Sequence, residues 1–294
     1  AYGGPHFPHK SAPEELKALY PPEGIKLPPN VPPGQQARAR REAQGYYAHC
    51  TALDRCVGDL LETLEETGKA DRTIFIFTSD HGEMLGSQGE PPCEKQRPWD
   101  ESIRVPFLLR YPAVGADDGL MVRAPVNTPD LLPTLLSLAG IAVPDTVEGE
   151  DLSPMVLDPA ADRDRAALVM SVVPFAGYRG GKAYRGLRTE RCTYVRDLNG
   201  PWLLYDNWRD PYQMKNVVDH PGSAGLRQKL EEQLQARLKA THDRFLAPGQ
   251  HLEEWGYEVD GRACIPYFFV HRGGRKKPDN FRVQSPAGRP GRKR

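Results

Sequence analysis

The sequence predicts an α/β fold with a mostly parallel sheet flanked by helices, followed by a smaller α+β unit with an antiparallel sheet. Three observations carry this prediction. A long stretch of helical periodicity precedes two short apolar runs that are typical of buried strands. A second helical stretch follows these runs. Beyond the acidic, proline-containing residues 148–164, the apolar runs become short and alternate with polar residues.

The first regular element predicted is a helix over residues 37–67. Apolar side chains recur at spacings of three and four from Tyr47 to Leu64, which gives the helix one apolar face. Gly68 follows as a suitable helix stop. Residues 1–36 are rich in proline and show little periodicity, so we expect them to form a surface loop.

Two strands and a second helix come next. "TIFIF" at residues 73–77 and "VPFLLRY" at residues 105–111 are continuous apolar runs, as expected of strands covered on both faces. "DLLPTLLSLAG" at residues 130–140 reads as a short helix that stops at Gly140. In largely parallel sheets, ligands bind outside the carboxyl ends of the strands. The end of "TIFIF" is therefore a candidate site.

The remaining runs predict the smaller unit. "AALVMSVV", "AYRGLRT", "CTYVRDL" and "WLLYD" read as antiparallel strands. A helix is predicted over residues 226–245, and leucines recur every four residues along it, which is a packing pattern. We place domain boundaries at residues 1–157, 158–271 and 272–294, the last being a basic tail that we expect to be mobile.

Composition excludes several classes of protein. The 39 basic residues balance the 39 acidic ones, so the chain has no bias toward nucleic acid or anionic membranes. No apolar stretch approaches the ~20 residues of a membrane helix. The five scattered cysteines, without CxxC spacing, argue against a disulfide framework and a structural zinc site. The sequence contains no HExxH, Walker, GxSxG or GxGxxG motif.

Asp80 and His81 stand side by side where "TIFIF" gives way to a glycine-rich loop. A carboxylate oxygen and a neutral imidazole nitrogen are both ligands for divalent cations, and carboxylates suit Ca²⁺ and Mg²⁺. By itself the pair is more typical of a turn that Asp80 caps, with His81 as a hydrogen-bonded neighbour. Gly82, Gly86 and Gly89 allow the backbone to bend closely around a bound group. The context therefore favours a metal site.

Three more side chains are candidates for the same site. Lys95 follows in a short loop between the two predicted strands, and a lysine beside a metal suits an oxyanion. His6 and His9 lie in the proline-stiffened segment "PHFPHK", where a histidine can protonate a leaving oxygen or bind an anion. Taken singly, each of these residues is also compatible with an ordinary surface position.

Several spaced motifs resemble the sulfatases of the alkaline-phosphatase superfamily. They are "YYAHCTALDRCVGDLLETLEETGKADRTIFIFTSDHGEMLGSQG", then Lys95, "WDESIRVPFLLRYP", "TPDLLPTLLSLAGIAVP", "GLRTERCTYV" and "LYDNWRDPYQMKN". They occur in the family's order and cover roughly residues 1–245. The resemblance implies an alkaline-phosphatase-like fold, a sulfuric ester hydrolase of the arylsulfatase type, and residues 1–157 as the C-terminal part of its catalytic α/β domain.

The resemblance also implies roles for individual residues. Asp80 and His81 match the second pair of metal ligands, for Ca²⁺ or, as the second choice, Mg²⁺. Lys95 matches the lysine that binds the sulfate ester, and His6 in "H-x-P" matches the histidine that contacts the sulfate and assists departure of the alcohol. His6 and Lys95 are thus expected both to bind substrate and to catalyse. His9 matches no invariant role and stays a weaker candidate, and Gln88 stands where relatives often have histidine.

The sequence departs from the family in two respects. No cysteine or serine lies in the C/S-x-P-x-R element whose residue becomes formylglycine, the nucleophile. The first metal pair, which is two adjacent aspartates near the family's N-terminus, is absent too. We therefore expect a chain truncated at its N-terminus, with formylglycine upstream of residue 1, and no activity of this chain alone. Two alternatives stay open, namely a phosphodiesterase or phosphonate monoester hydrolase of the same superfamily, and a non-catalytic binding domain.

The expected partner is a sulfated small molecule or carbohydrate, with no nucleic acid and no membrane span. The sequence does not name that substrate or the oligomeric state. It also gives no compartment, since a secreted or periplasmic location would require an upstream signal peptide.

Overall fold

The computed structural model describes residues 2–114, 119–158, 165–172 and 181–256. Cys264 and the predicted basic tail at residues 272–294 lie outside these ranges. The helices are α1 (Glu14–Lys17), α2 (Pro33–Glu66), α3 (Asp100–Ile103), α4 (Thr128–Leu138), α5 (Ser153–Leu157), α6 (Ala224–Ala240) and α7 (Pro248–Glu254). The strands are β1 (Phe75–Thr78), β2 (Phe107–Arg110), β3 (Ala166–Ser171), β4 (Tyr184–Thr189), β5 (Cys192–Asp197) and β6 (Gly200–Asp206).

The long helix α2 confirms the first predicted helix but begins earlier, at Pro33. Proline is favourable at the first helical position because its missing N–H would have no partner there. The helix ends at the predicted Gly68, whose φ of 62° is left-handed. The Gly68 N–H donates to the Glu65 carbonyl at 3.0 Å, and the Lys69 N–H donates to the Leu64 carbonyl at 2.9 Å. This bonding is a Schellman stop.

The buried side of α2 differs from the predicted apolar face. Its buried residues are small and lie in the first half of the helix: Ala39, Ala43, Gly45 and Ala48. The larger apolar residues of the second half are half-buried or exposed, and Leu60 is 44% exposed. Small side chains bring the segment before α2 close to the helix axis. That segment also differs from the predicted loop, because it contains α1 and short 3₁₀ turns at His9–Ser11 and Pro22–Gly24.

Strands β1 and β2 form a two-stranded sheet in which they run antiparallel, with Phe75 opposite Arg110. The sequence predicts a mostly parallel sheet, so for these two neighbours the expected direction is wrong. Parallel neighbours need a crossover that is usually a helix. The only α-helix in the connection between Thr78 and Phe107 is the four-residue α3, which is too short for such a crossover. The chain therefore turns back, and β2 pairs antiparallel with β1. The carboxyl end of β1 nevertheless leads directly into Asp80 and His81.

The antiparallel sheet of the smaller unit is confirmed, and its four strands lie in the order β3-β4-β5-β6. Helix α6 covers one face and buries Leu230, Leu234 and Leu238 against the sheet. Leu226, the first leucine of the predicted stripe, is 40% exposed. On the other face, residues such as Tyr205 form a second cluster, against which Trp99 packs. The sheet therefore contacts the loop that carries Lys95.

Helix α4 ends at the predicted Gly140, which has a φ of 70°. None of the helices in the described ranges combines the length and hydrophobicity needed to cross a membrane.

Candidate active site

Asp80 and His81 follow the end of β1, and their carboxylate and imidazole groups lie close together. Asp80 Oδ2 lies 3.6 Å from His81 Nε2. The other carboxylate oxygen, Oδ1, accepts a hydrogen bond from the His81 N–H at 3.0 Å. His81 Nδ1 lies 2.8 Å from the Gly82 carbonyl, which can only accept, so Nδ1 carries the proton. Nε2 therefore has its lone pair free beside Asp80 Oδ2, as a metal-ligating histidine requires.

The Asp80 carboxylate is stabilised in its charged form. Burial alone would raise its pKa, but the neighbouring His81 ring, nearby backbone N–H groups and the Ser79 hydroxyl lower the pKa of Asp80 below its ordinary value. An ionised carboxylate is the form that binds cations. In the part of the chain that the structure describes, no group of three or more His, Cys, Asp or Glu side chains could hold a metal. The pair thus fits as two ligands of a cation, not as a whole site.

His6 and Lys95 meet in the same cluster. Lys95 Nζ lies 2.5 Å from His6 Nε2, although the two residues are 89 positions apart in the chain. His6 Nδ1 lies 2.7 Å from the Phe7 carbonyl, so Nδ1 donates and Nε2 accepts from the lysine. The Lys95 ammonium also lies 5.8 Å from the centroid of the Phe7 ring. This ammonium and imidazole form a pair that an oxyanion can bridge.

The two pairs face each other, since the His6 and His81 rings are 6.0 Å apart between centroids in an edge-on arrangement. His6 and Asp80 are exposed, whereas His81 and Lys95 are half-buried. The structure therefore brings together four of the five candidate residues, namely His6, Asp80, His81 and Lys95. Two ligating atoms and one ammonium surround an open surface that water or a ligand can reach.

The loop that carries these residues is braced by backbone contacts. The Gly82 N–H donates to the Ser102 carbonyl at 2.8 Å, and the Met84 N–H donates to the Glu94 carbonyl at 3.0 Å. A Cβ atom at Gly82 would lie 2.0 Å from the carbonyl oxygen of Glu101, so no larger residue fits there. Leu85 has a φ of 46°, a conformation that side chains rarely adopt. Strained backbone of this kind is often found at functional sites.

The C-terminal unit contacts the loop after β1 through residues for which the sequence predicted no role in the site. The Tyr212 carbonyl accepts hydrogen bonds from Asn30 Nδ2 at 2.9 Å and from Gln88 Nε2 at 3.0 Å. Gln213 is 1% exposed, and its Oε1 accepts from the Asp100 N–H at 2.9 Å. Both Tyr212 and Gln213 lie in the motif "LYDNWRDPYQMKN", but the motif did not predict which residues they contact. Gln88 is thus a bracing residue here.

His9 does not join the exposed cluster. It is 1% exposed and lies beneath the site, where Nδ1 is 2.9 Å from Glu42 Oε2 and Nε2 is 3.7 Å from Glu83 Oε2. Burial alone would lower its pKa, but the two carboxylates outweigh burial and raise the pKa of His9 above its ordinary value. The two carboxylates therefore stabilise the imidazolium form of His9.

Comparison with known proteins gives a consistent result. A sulfatase model matches residues 1–141, and a model of the C-terminal part of N-sulphoglucosamine sulphohydrolase matches residues 93–240. An ulvan-active sulfatase of Formosa agariphila is 45% identical over 270 residues, which are 92% of this chain and 53% of that protein. The chain spans about half the length of the curated relatives that it matches.

Two solved structures illustrate the range of similar folds. One is a protein in complex with its substrate D-glucosamine-2-N,6-O-disulfate, with a TM-score of 0.60 and 27% identity over 77% of this chain and 45% of that chain. The other is a phosphonate monoester hydrolase of Agrobacterium radiobacter, with a TM-score of 0.60 and 26% identity over 79% of this chain and 46% of that chain.

Proposed function

The chain belongs to the sulfatase family, and we propose that the protein is a sulfuric ester hydrolase whose site includes His6, Asp80, His81 and Lys95. Its fold is the alkaline-phosphatase-like fold expected from the sequence. The observation that carries the proposal is the convergence of these four residues, from two distant segments, at the end of β1. Two cation ligands beside an ammonium and an imidazole suit an ester of a strong oxyanion.

Lys95 and His6 act directly on the ester in this proposal. The Lys95 ammonium binds a non-bridging sulfate oxygen and neutralises its charge. Binding of the sulfate draws the ammonium away from His6 Nε2, which it contacts at 2.5 Å in the free site. His6 is exposed, so Nε2 can then take a proton from solvent and deliver it to the alkoxide that departs as the ester S–O bond breaks, while Nδ1 remains bonded to the Phe7 carbonyl.

Asp80 and His81 would hold the metal, for which we propose Ca²⁺, with Mg²⁺ as the second choice. Asp80 Oδ2 and His81 Nε2 are the available ligand atoms, and the Gly82 carbonyl fixes the imidazole tautomer. When bound, the cation supplies Lewis-acid polarisation of the ester. Hard cations of this kind take six or more oxygen-type ligands, so further ligands are required.

The nucleophile is the least complete part of the proposal. The C/S-x-P-x-R element that would carry formylglycine is absent from these 294 residues. We propose that this element lies upstream of residue 1. The upstream segment and residues 1–157 would together form one catalytic α/β domain, and residues 158–271 would form a smaller subdomain. On this proposal the 294 residues bind sulfate but do not turn over an ester by themselves.

We propose a sulfated carbohydrate as the substrate class. Support comes from the similarity to an ulvan-active sulfatase and to a protein solved with a sulfated glucosamine. The alternative within the superfamily is a phosphonate monoester hydrolase, which the similarity to the Agrobacterium radiobacter enzyme supports. A binding domain without catalysis is the third possibility. The cluster of His6, Asp80, His81 and Lys95 argues against it, because a site without catalysis has no use for clustered ionisable groups.

The decisive experiment compares ester classes and single variants. The naturally encoded protein is assayed on p-nitrophenyl sulfate and on a p-nitrophenyl phosphonate monoester with Ca²⁺ added. We expect faster sulfate hydrolysis and a loss of at least about a hundredfold in Lys95→Ala or Asp80→Ala, as for one lost charge-stabilising group. Near-normal rates in either variant would refute the site. Preference for the phosphonate ester would select the alternative.

The control separates catalysis from folding. Arg104→Ala removes a charge that is 75% exposed and lies near the same loop, so its rate should be unchanged. The 294-residue chain without further residues is assayed in parallel, and clear turnover by it would contradict the upstream nucleophile.

A further inference from the structure

A buried charge cluster lies directly beneath the proposed site. His9 is the fourth residue of the segment that starts at His6, and Glu83 follows His81 in the loop after β1. His9 and Glu83 are 1% and 7% exposed. Burying an ionisable side chain without a partner is costly. The contacts that His9 and Glu83 make with each other and with their neighbours therefore matter for this part of the fold.

His9 spans two parts of the molecule. Nδ1 donates to Glu42 Oε2 of α2 at 2.9 Å, and Nε2 faces Glu83 Oε2 at 3.7 Å, an ion-pair distance. The Tyr46 ring packs edge-on against His9 at 5.8 Å between centroids. Burial raises the pKa of Tyr46 to about 12, so the hydroxyl stays neutral near His9. The ring is thus held by one carboxylate from α2 and one from the loop after β1.

The backbone of His9 is equally constrained. A Cβ atom at Gly45 would lie 2.1 Å from the His9 carbonyl oxygen, so only glycine allows α2 to approach this closely. The same carbonyl accepts a hydrogen bond from the Ala12 N–H at 3.2 Å. The position of His9 against α2 is therefore fixed independently of its charge.

We propose that His9 is a positioning residue, which sets the His6 segment against the Asp80-His81 loop by pairing with Glu42 and Glu83. This inference rests on the proposed function, because it concerns the alignment of the residues assigned there. Removing His9 takes away the ring nitrogen that faces the buried Glu83 carboxylate at 3.7 Å, so the loop after β1 is expected to loosen together with the segment that carries His6.

Amide hydrogen exchange of the 294-residue chain tests the coupling. The reporters are the Ala12 N–H, bonded to the His9 carbonyl, and the Met84 N–H, bonded to the Glu94 carbonyl. In His9→Gln we expect both amides to exchange at least about tenfold faster, as for the loss of one hydrogen bond to a charged group. Acceleration at Ala12 with Met84 unchanged would overturn the proposal, since His9 would then stabilise only its own segment.

A second variant displaces His9 without altering any charge. Gly45→Ala forces a Cβ atom against the His9 carbonyl and should accelerate the same two amides. The matched control is Gly58→Ala on the same helix, where a Cβ atom meets nothing within 4 Å. Neither reporter should change in the control. If His9→Gln does not fold, as judged by near-ultraviolet circular dichroism, Gly45→Ala decides the question by the same criterion.

Inorganic sulfate distinguishes this proposal from the proposed function. Calorimetric titration of the wild type tests the His6-Lys95 site, and the affinity should fall about tenfold in His9→Gln if alignment matters. Coupled exchange without sulfate binding by the wild type would refute the proposed function and leave His9 as the link between the loops. Sulfate binding with equal affinity in the variant, and no change at Met84, would refute the role of His9 alone.

Discussion

The two sheets of this chain differ in how completely their apolar residues are covered. In the sheet of β3–β6, side chains such as Tyr194, Val195 and Leu204 are 0% exposed. In the pair β1 and β2, no residue is fully buried, and Leu108 is 64% exposed. The C-terminal sheet is stabilised by its own core. A two-stranded sheet is marginal by itself, so the N-terminal loops rely more on polar contacts and close backbone approaches.

The proposed site lies in the less completely covered region. The His9 bridge and the backbone brace at Gly82 hold its segments through a few specific contacts. Regions with few buried apolar contacts open more easily, and ligand-binding loops are commonly drawn from them. The well-covered C-terminal sheet thus supports the site. Tyr212 and Gln213 make the contacts between this unit and the loop that carries Lys95.

The largest expected effect concerns the junction between the two regions. Arg165 Nη2 donates to Asp130 Oδ2 at 2.7 Å, and the side chains are 4% and 3% exposed. Arg165→Met leaves a buried carboxylate without its cation, which should lower the free energy of unfolding by about 3–5 kcal/mol. Urea unfolding followed by circular dichroism measures this change.

The matched control for the junction is Arg244→Met. Arg244 pairs with Glu254 where both side chains are largely solvent-accessible, so the loss should stay within about 1 kcal/mol. Equal destabilisation by the two substitutions would show that the Arg165 pair does not join the regions in the way the buried geometry indicates.

The second prediction compares the two sheets directly by leucine truncation. Leu234→Ala opens a cavity in the core under α6 and should cost about 2–5 kcal/mol. Leu108→Ala on β2 removes a side chain that is already mostly exposed and should change stability by no more than about 0.5 kcal/mol. The same urea experiment measures both. A Leu108→Ala loss as large as that of Leu234→Ala would contradict the difference between the sheets.

The smallest predicted effect is a difference in pH dependence. Burial alone would raise the pKa of Asp243, but Arg185 and the Phe245 N–H lower it below its ordinary 3.8. Its contribution to stability is therefore present above pH 3.8 and lost as pH falls through the lower folded value. The pKa of His9 is raised above 6.5, so its contribution is full below pH 6.5 and lost as pH rises through the folded value.

Urea midpoints between about pH 3 and pH 9 measure these dependences. In Asp243→Asn, the fall of the urea midpoint at acidic pH should be smaller than in the wild type. In His9→Gln, the fall of the midpoint at alkaline pH should be smaller. The groups facing His9 are Glu42 and Glu83, together with the Tyr46 ring and His49, whose pKa is lowered by burial and by the nearby His9 charge. An alkaline arm that persists in His9→Gln would assign it to another group.

Periodicity predicted the long helices well because their signals are local. The stops at Gly68 and Gly140 were correct, since glycine alone adopts the left-handed conformation without cost. The helix over residues 226–245 was predicted too long, because the structure ends it at Ala240. The left-handed residue after the end of this helix is His242, with a φ of 55°, and histidine gives no clear stop signal.

Strand direction could not be predicted in the same way. The apolar runs of β1 and β2 look alike in parallel and antiparallel sheets when both are partly covered, and the connection decides the direction. The motifs placed Lys95 and His6 in one site, but they did not indicate that the two side chains would contact each other directly. The buried role of His9 was missed because its partners Glu42 and Glu83 are distant in sequence and look like surface acids.

The sequence alone predicted the three longest helices, the antiparallel strands of the C-terminal unit, the family and the chemical types of the candidate residues. These depend on local periodicity and on residue identity. The tertiary structure was needed to show that β1 and β2 run antiparallel and that the first half of α2 is the buried one. It was also needed to show that the four site residues share one surface, with His9 buried beneath it. Such pairings depend on the distances between remote segments, which are set by chain packing and not by any local pattern.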